Sequence, residues 1–392
     1  MTLLKTGQSV ELEHPIMRNK KYKIFIIAGE VSGDVLGARI MVEMPDAEFI
    51  GIGGENMRQV GLQSIFPMSD LAVMGAIEVL AHARTLTRRI RQTVDAIIDT
   101  KPDLVLTIDS PGFARRVITA ARKRGANTRF YHFVAPQVWA WRPGRAKKYA
   151  KTFDKLYAFF DFEVPYFTRY NLTTVAVGHP LADLLICNQP TAVGMTKREK
   201  IITIIPGSRM SEVKRLLPIF RDAVQMMVHC GYYNYKYVIP TVETTADYIA
   251  EHVKHWTVQP ELIPATARYD VYAKTYVAIA ASGTVSAELA MMHIPAIIVY
   301  KMNPITTWIV RQMIRVKWVS LVNILMNRGI YSELLGPAAN VQNIMNEFCK
   351  LAIPANREKM IADLAAADKM WQPNKNGACA AVARDIRNSI KQ

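Results

Sequence analysis

From residue 23 to about 180, short apolar runs alternate with longer stretches in which apolar residues recur at helical spacing. The runs fall at 23–28, 48–52, 103–108, 129–134, 155–159 and 173–177. A run that is apolar at every position has both faces buried, so the rhythm predicts a parallel sheet with crossover helices on both sides. After Pro190 the pattern slackens into the polar stretch "QPTAVGMTKREK", which reads as a linker. It restarts at 201, where "IITIIPGSRMSEVKRLLPIF" again gives strand, glycine turn with a serine, and helix, and further strands are expected at 236–239, 276–280 and 296–300. The prediction is α/β: two doubly wound parallel-sheet domains facing across a cleft, with ligands at the carboxyl ends of the strands.

Composition narrows the class of partner. The chain has 392 residues, with 49 Lys+Arg against 33 Asp+Glu and a net charge of +16, which favours a nucleic acid, a phosphorylated substrate or an acidic membrane surface. The basic residues are spread over both halves with no recognisable reading module, which argues against nucleic acid. Cys187, Cys230, Cys349 and Cys379 lie far apart, so neither a zinc cage nor a disulfide framework is indicated, and a reducing cytoplasm fits best. Glu11, Glu13 and Pro15 stand where a signal peptide needs an apolar core, and no uncharged run reaches the ~18 residues of a membrane span.

Four strand ends carry candidate chemistry. "KIFIIAGEVSGDVLGARI" has a strand, a break at Gly29 and a Ser32-Gly33-Asp34 turn into a helix. Gly29, Gly33 and Gly37 are four apart, not in the G-x-G-x-x-G spacing of a dinucleotide site, and no Lys-Ser/Thr pair follows, so an oxidoreductase or P-loop reading is disfavoured. In "YVAIAASGTVSAELA" a buried strand runs into Ser282-Gly283-Thr284 at a helix start, where free N–H groups and two hydroxyls suit a diphosphate and Glu288 suits a ribose. The bland alternative is a helix cap and a solvated acid. "IIPGSR" puts Arg209 in position to grip a phosphate, or merely to pair with Glu212. "DLVLTIDSPGF" places Asp109 at a strand end, where it can take a proton from a hydroxyl or simply serve the Ser110-Pro111 turn.

Two segments interleave aromatics with cations. "APQVWAWRPGRAKKYAK" holds Trp139, Trp141, Arg142 and Arg145, and "PITTWIVRQMIRVKW" holds Trp308, Arg311 and Arg315. Both suit a lipid headgroup or sugar phosphate, or a solvated helix over the core. His252 and His255 have no third ligand nearby, and no D-x-D occurs, so no metal site is expected.

The segments "AGEVSGDVLGA", "LAVMGAIEVL", "IDSPGF", "PQVWAWRPGR", "VGHPLAD", "PGSR", "ASGTVSAE", "VSLVNILMNR" and "SELL" follow one another between about residues 23 and 340 in the order found in the lipid-A-disaccharide synthases, a family that the chain therefore resembles. The resemblance implies a GT-B glycosyltransferase of two Rossmann-like domains that joins UDP-2,3-diacylglucosamine to 2,3-diacylglucosamine 1-phosphate with inversion, without a metal or other cofactor. The expected layout is an extension at 1–20, an acceptor-side domain at 21–188, a UDP-sugar domain at 198–370, and a helix at 371–392 returning to the first domain. The nucleotide is expected against Arg209, Ser282, Gly283, Thr284, Glu288 and Asn323. The sugars are expected against Gly29, Glu30, Ser32, Gly33, Asp34 and Met74, with Asp109 as base. Leu71, Met74 and Ile77, with Arg84, Arg88, Arg89, Arg91, Arg142 and Arg145, would dock on anionic lipid or phosphate. The implied setting is the cytoplasmic face of the inner membrane, with no nucleic acid partner and room for a homodimer. Departures from the family pattern are Gly112 in place of Asp, Ala135 and Gln137 in place of serines, and Gly336 in place of Gln. A UDP-N-acetylglucosamine epimerase is the main competing expectation, since it shares the architecture and the nucleotide site.

Overall fold

The computed structural model describes residues 22–71, 83–185, 198–301, 317–371 and 376–391. Residues 1–20, Met74, Ile77, Cys187, most of the linker and the stretch around Trp308 lie outside the described residues. The chain divides into two compact units. One runs up to Asp183 and takes in the chain again from Gln372, and the other spans Leu184–Trp371.

The first unit contains β1 (Tyr22–Ala28), β2 (Ala47–Ile52), β3 (Leu104–Ile108), β4 (Arg129–Phe133), β5 (Lys155–Ala158) and β6 (Thr173–Ala176). They form one parallel sheet in the order β2-β1-β3-β4-β5-β6. Alternation along the strands feeds two apolar layers. Phe25, Ile27, Val105 and Phe130 pack with the helices Ala83–Thr100 and Pro111–Lys123. Ile24, Ile26, Leu104 and Leu106 pack on the other face with Val31–Glu43 and the terminal helix Ala378–Lys391. That last helix buries Cys379, Val382, Ala383 and Ile386 and is pinned at Asp385, which pairs with Lys155 Nζ at 2.8 Å and accepts from Tyr157 Oη at 2.7 Å.

The second unit contains β7 (Ile201–Ile205), β8 (Lys236–Thr241), β9 (Glu261–Pro264), β10 (Thr275–Ala281), β11 (Ala296–Tyr300) and β12 (Ser332–Leu335). Their order is β12-β11-β10-β7-β8-β9, again all parallel. Ile202, Ile204, Val277 and Ile279 pack against the helices Met210–His229 and Val341–Ala352. The edge strands β9 and β12 are four residues each and carry Glu and Ser, so no apolar run announces them.

Arg198 corrects the reading of its surroundings as a plain linker. Its guanidinium is buried and donates to the carbonyls of Tyr272, Thr275 and Met292 at 3.2, 3.0 and 2.9 Å. Burial lowers its pKa to about 10.

In each sheet the chain order reverses once, between β1 and β3 in the first and between β7 and β10 in the second. Crossovers leave these points in opposite directions, so the carboxyl ends of the two flanking strands open onto a crevice there.

Candidate active site

At the reversal point of the second unit, the turns after β7 and β10 border a cavity of about 520 Å³. Ser208, Arg209, Ser282, Gly283, Thr284 and Glu288 line it, together with Arg268. The turn Ser282-Gly283-Thr284 enters the helix Thr284–Met291, whose N-cap residue is Gly283 and makes no side-chain cap bond. Ser286 Oγ instead donates back to Gly283 O at 2.8 Å. Among the described residues the first N–H groups of the helix have no side-chain acceptor, and a β-carbon added at Gly283 would meet nothing within 4 Å. This geometry suits an anion held by backbone donors at the positive end of a helix.

Arg209 occupies the N-cap position of Met210–His229, with its side chain 78% exposed and Nη1 at 2.9 Å from Glu212 Oε1. Gly207, at φ +109°, keeps the turn tight: a β-carbon there would sit 2.7 Å from Glu212 Oε2. Glu288 is not a solvated acid. Its carboxylate accepts from Arg268 Nε at 3.0 Å and Nη2 at 3.4 Å, and Arg268 also donates to Ala265 O and Tyr269 Oη at 2.8 Å each.

Asn323 is not part of this lining. It is completely buried: its amide donates to Tyr331 O and Glu333 Oε1 at 2.9 Å each and accepts from the N–H groups of Ile330 and Tyr331 at 2.8 and 2.9 Å. All four hydrogen-bonding positions of the amide are used, so it offers a ligand nothing. Gly336, which follows β12, has φ +59°.

At the reversal point of the first unit, β1 and β3 bring Gly29, Glu30, Ser32, Asp109 and Ser110 together. Ser32 Oγ lies 3.4 Å from Asp109 Oδ2, and Ser110 N donates to Asp109 Oδ1 at 2.8 Å. Burial, and then the charge of Asp109, raise the pKa of Glu30. Asp109 and Ser110 both take left-handed backbone, at φ 51° and 46°, and Val134 just past the adjacent β4 is at φ 80°. Three non-glycine residues in that region, one of them β-branched, store strain where two neighbouring strands end, as functional sites commonly do.

The first turn is arranged differently from the sequence expectation. The helix starts at Val31 with Glu30 as its N-cap residue, so Ser32, Gly33 and Asp34 lie within the first turn. Asp34 is 2% exposed and is spent on the turn that follows β2. Its carboxylate accepts from the N–H groups of Gly54, Asn56 and Met57 at 2.7, 2.9 and 3.1 Å and from Asn56 Nδ2 at 2.8 Å, which caps the helix Glu55–Gln59. It is a structural cap and not a sugar ligand. The glycines allow close packing: β-carbons would lie 2.4 Å from Ser110 Oγ at Gly29, 3.2 Å from Ile108 O at Gly33 and 2.6 Å from Met57 Sδ at Gly37.

Among the docking cations, Arg89 is engaged. It pairs with Asp70 at 2.6 Å, donates to Gln92 and lies 4.6 Å over Phe66. Arg84 and Arg88 are exposed, whereas Arg142 and Arg145 sit 4.6 and 4.8 Å from the Trp141 ring centroid. Trp139 is internal, donating to Glu163 at 3.0 Å. Burial pushes the Glu163 carboxyl up to about 7, against the pull of Trp139 and the N–H groups of Phe160 and Phe159. Burial also holds His179, packed on Phe159 and Phe160, down at about 4.

The family model for lipid-A-disaccharide synthetase matches residues 24–384. The chain belongs to the lipid-A-disaccharide synthase family. It is 42% identical over 330 residues to the synthase of Rhodospirillum centenum, covering 81% of each chain, and 35% identical over 350 residues to that of Rickettsia bellii, covering 87% of this chain and 92% of the other. Its fold is that of the GT-B enzymes. It superposes on the Staphylococcus aureus MnaA–UDP co-structure with TM-score 0.63 at 14% identity, covering 94% of this chain and 97% of the other. Acinetobacter baumannii MurG gives TM-score 0.60 at 14% identity, covering 94% and 99%. This member of the family is thus a glycosyltransferase of lipid A biosynthesis.

One residue of the cavity lining, Arg268, escapes a reading by motif. Arg268 lies in the five-residue helix Arg268–Tyr272, remote in sequence from either glycine turn. For Arg268 the only signal is an arginine near a strand end.

Proposed function

We propose that the chain transfers a 2,3-diacylglucosamine unit from UDP to the 6-hydroxyl of 2,3-diacylglucosamine 1-phosphate, forming a β-1,6 disaccharide and releasing UDP. The observation that carries this reading is the pairing of chemistries at the two reversal points: a strained carboxylate at the end of β3, and an uncapped helix N-terminus beside Arg209 at the end of β7. The first suits a base and the second a leaving diphosphate.

In this reading the acceptor oxygen attacks the anomeric carbon opposite UDP, its proton passes to Asp109, and the C–O bond to the diphosphate breaks with inversion. Negative charge gathers on the leaving oxygen, where the N-terminus of the helix Thr284–Met291 is fixed in place before it develops and the exposed Arg209 guanidinium closes on it. The reading needs no metal, because a guanidinium and helix-end dipoles supply the countercharge. Glu288, held by Arg268, receives the ribose hydroxyls. Acyl chains tie both substrates to lipid, so the enzyme is assigned to the cytoplasmic face of an anionic membrane.

The deciding experiment is UDP release with both lipid sugars present and with each omitted. UDP should appear only when both are supplied, and Asp109→Asn should lower kcat at least ~10²-fold, the usual worth of a positioned base, with UDP affinity unchanged. Turnover of the donor alone would favour an epimerase instead. Near-normal kcat in the variant would reduce Asp109 to a turn residue.

A further inference from the structure

Past β4 the chain makes a turn in which two arginines meet one indole. Arg142 Cζ lies 4.6 Å and Arg145 Cζ 4.8 Å from the Trp141 ring centroid, so the two charges stand within about a Debye length of each other. Arg145 N donates to Arg142 O at 3.0 Å, which holds both in one turn, and Arg142 takes left-handed backbone at φ 52°. Among the described residues neither guanidinium has a hydrogen bond or a carboxylate within 4.0 Å. Stacking on the indole uses only the face of a guanidinium; the N–H groups along its edge stay free, and those are the donors that a phosphate takes. Like charges gathered on one ring, in a turn strained at Arg142, serve the fold poorly and an anion well.

The fold sets this turn on the same rim of the sheet as the strained strand ends. β4 and β5 are parallel neighbours, so the helix between them, Arg145–Ala150, runs back from the carboxyl end of the sheet toward its amino end, and Arg145 starts it at the carboxyl end. The neighbouring crossover helix Pro111–Lys123 packs on the same face, where Phe113 and Val117 share an apolar layer with Ala146 and Tyr149. Tyr149, 3% exposed and edge-on to His132, turns one side of the short helix to the sheet; Arg145, four residues earlier, lies on that side and is half-buried. Asp109 is on this rim too, its N–H donating to the carbonyl of Phe133, the last residue of β4, at 3.0 Å.

Glycosyl transfer between the two lipid sugars brings two anionic groups to the enzyme, the diphosphate of the donor and the phosphate monoester of the acceptor. The first has a place of its own in the second unit, at the helix N-terminus beside Arg209. We propose that Trp141, Arg142 and Arg145 form the subsite for the second: the free edges of the two guanidiniums bind the monoester oxygens of the acceptor and make the enzyme select a phosphorylated acceptor over a neutral one. This rests on the glycosyl-transfer reading and adds no bond-making step to it, since the phosphate is a handle remote from the hydroxyl that reacts. A contact of that kind is equally strong in the ground state and the transition state, so its loss should raise KM for the acceptor and leave kcat nearly unchanged.

The test compares diacylglucosamine 1-phosphate with the same diacylglucosamine lacking phosphate, using the full chain and its double variant Arg142→Gln, Arg145→Gln in neutral detergent micelles that carry no anionic headgroup. Taking the phosphate off the acceptor should lower kcat/KM of the parent at least ~10-fold, and the double substitution should do the same with the phosphorylated acceptor, the worth of a charge-assisted contact. UDP affinity and Tm should not change. In the double variant, removing the phosphate should have no further effect beyond about twofold, because one contact cannot be lost twice. A parent indifferent to the phosphate, a double variant that keeps the parent's preference, or an equal loss with both acceptors would each overturn the proposal. Normal turnover in micelles with weakened binding to vesicles of anionic phospholipid would assign the two arginines to a bilayer headgroup and overturn it as well. If UDP release requires an acceptor but ignores its phosphate, only this subsite falls. If the donor turns over with no acceptor present, glycosyl transfer falls, and this proposal with it.

Discussion

Glu288 and Arg209 line the same cavity but are held very differently, and this separates binding from stability at the residue scale. Arg209 is 78% exposed and its pair with Glu212 contributes little to the fold. Glu288 has a side chain only 13% exposed and is the ion-pair partner of Arg268. Arg209→Ala and Glu288→Ala are both expected to weaken UDP binding at least tenfold by calorimetry, since a charge-assisted contact is worth about 1.5–3 kcal/mol. Glu288→Ala alone should also lower Tm, because it strands a half-buried guanidinium. Unchanged UDP affinity in both would move the nucleotide elsewhere. Strand-end residues such as Arg209, Ser282 and Glu288 were legible because a glycine turn after an apolar run marks them locally. Asp34 and Asn323 misled for the opposite reason. Their partners lie some 20 residues away for Asp34 and are mostly main-chain groups for Asn323, so no side-chain pattern reveals that their capacity is spent.

The strands are the elements that hydrophobic patterning places best, because a strand buried on both faces needs an unbroken apolar run. β3 and β7 are buried at every position. The edge strands β9 and β12 escaped because an edge tolerates Glu, Ser and Pro and needs only one covered side. Helix starts are less legible. The first helix begins at Val31, ahead of the Ser32-Gly33-Asp34 turn read from its small residues, since a cap is a matter of backbone geometry that Glu30 can supply without a side-chain bond. A tight junction between elements lies at Gly29, where the residue just past β1 meets Ser110, two residues beyond the end of β3. An added β-carbon would lie 2.4 Å from Ser110 Oγ and 2.7 Å from Ser110 Cβ. Gly29→Ala must push Ser110 away, and Asp109 precedes it in the same left-handed stretch. The expected cost is about 1–3 kcal/mol of stability, as for other overpacked sites, with kcat lost and UDP affinity retained. A variant with wild-type kcat and Tm would show that the junction yields freely.

Charge is a property of the whole chain, and at +16 it bears on where the enzyme works. No helix among the described residues is long and apolar enough to cross a membrane, and under the proposed function a basic surface is the feature that would bring the enzyme to lipid-held substrates. Composition shows the excess of cations but not which are available, because availability depends on partners brought in by the fold. Arg89 is spent on Asp70, whereas Arg84, Arg88 and Arg91 are exposed at spacings of four and three along the helix Ala83–Thr100 and so share a face. A basic side chain near an anionic bilayer contributes about 1 kcal/mol, and the attraction fades within a Debye length. Binding to vesicles containing anionic phospholipid should therefore fall steeply between low and high salt. Replacing Arg84, Arg88 and Arg91 together by Gln should weaken it by on the order of 100-fold, the equivalent of about 3 kcal/mol. Arg89→Gln should lower Tm while leaving vesicle affinity nearly unchanged, because its charge already faces a carboxylate. Vesicle sedimentation at several salt concentrations measures all three. Binding that ignores salt would assign the attachment to apolar insertion, and no binding at any salt would remove the membrane surface from the list of partners.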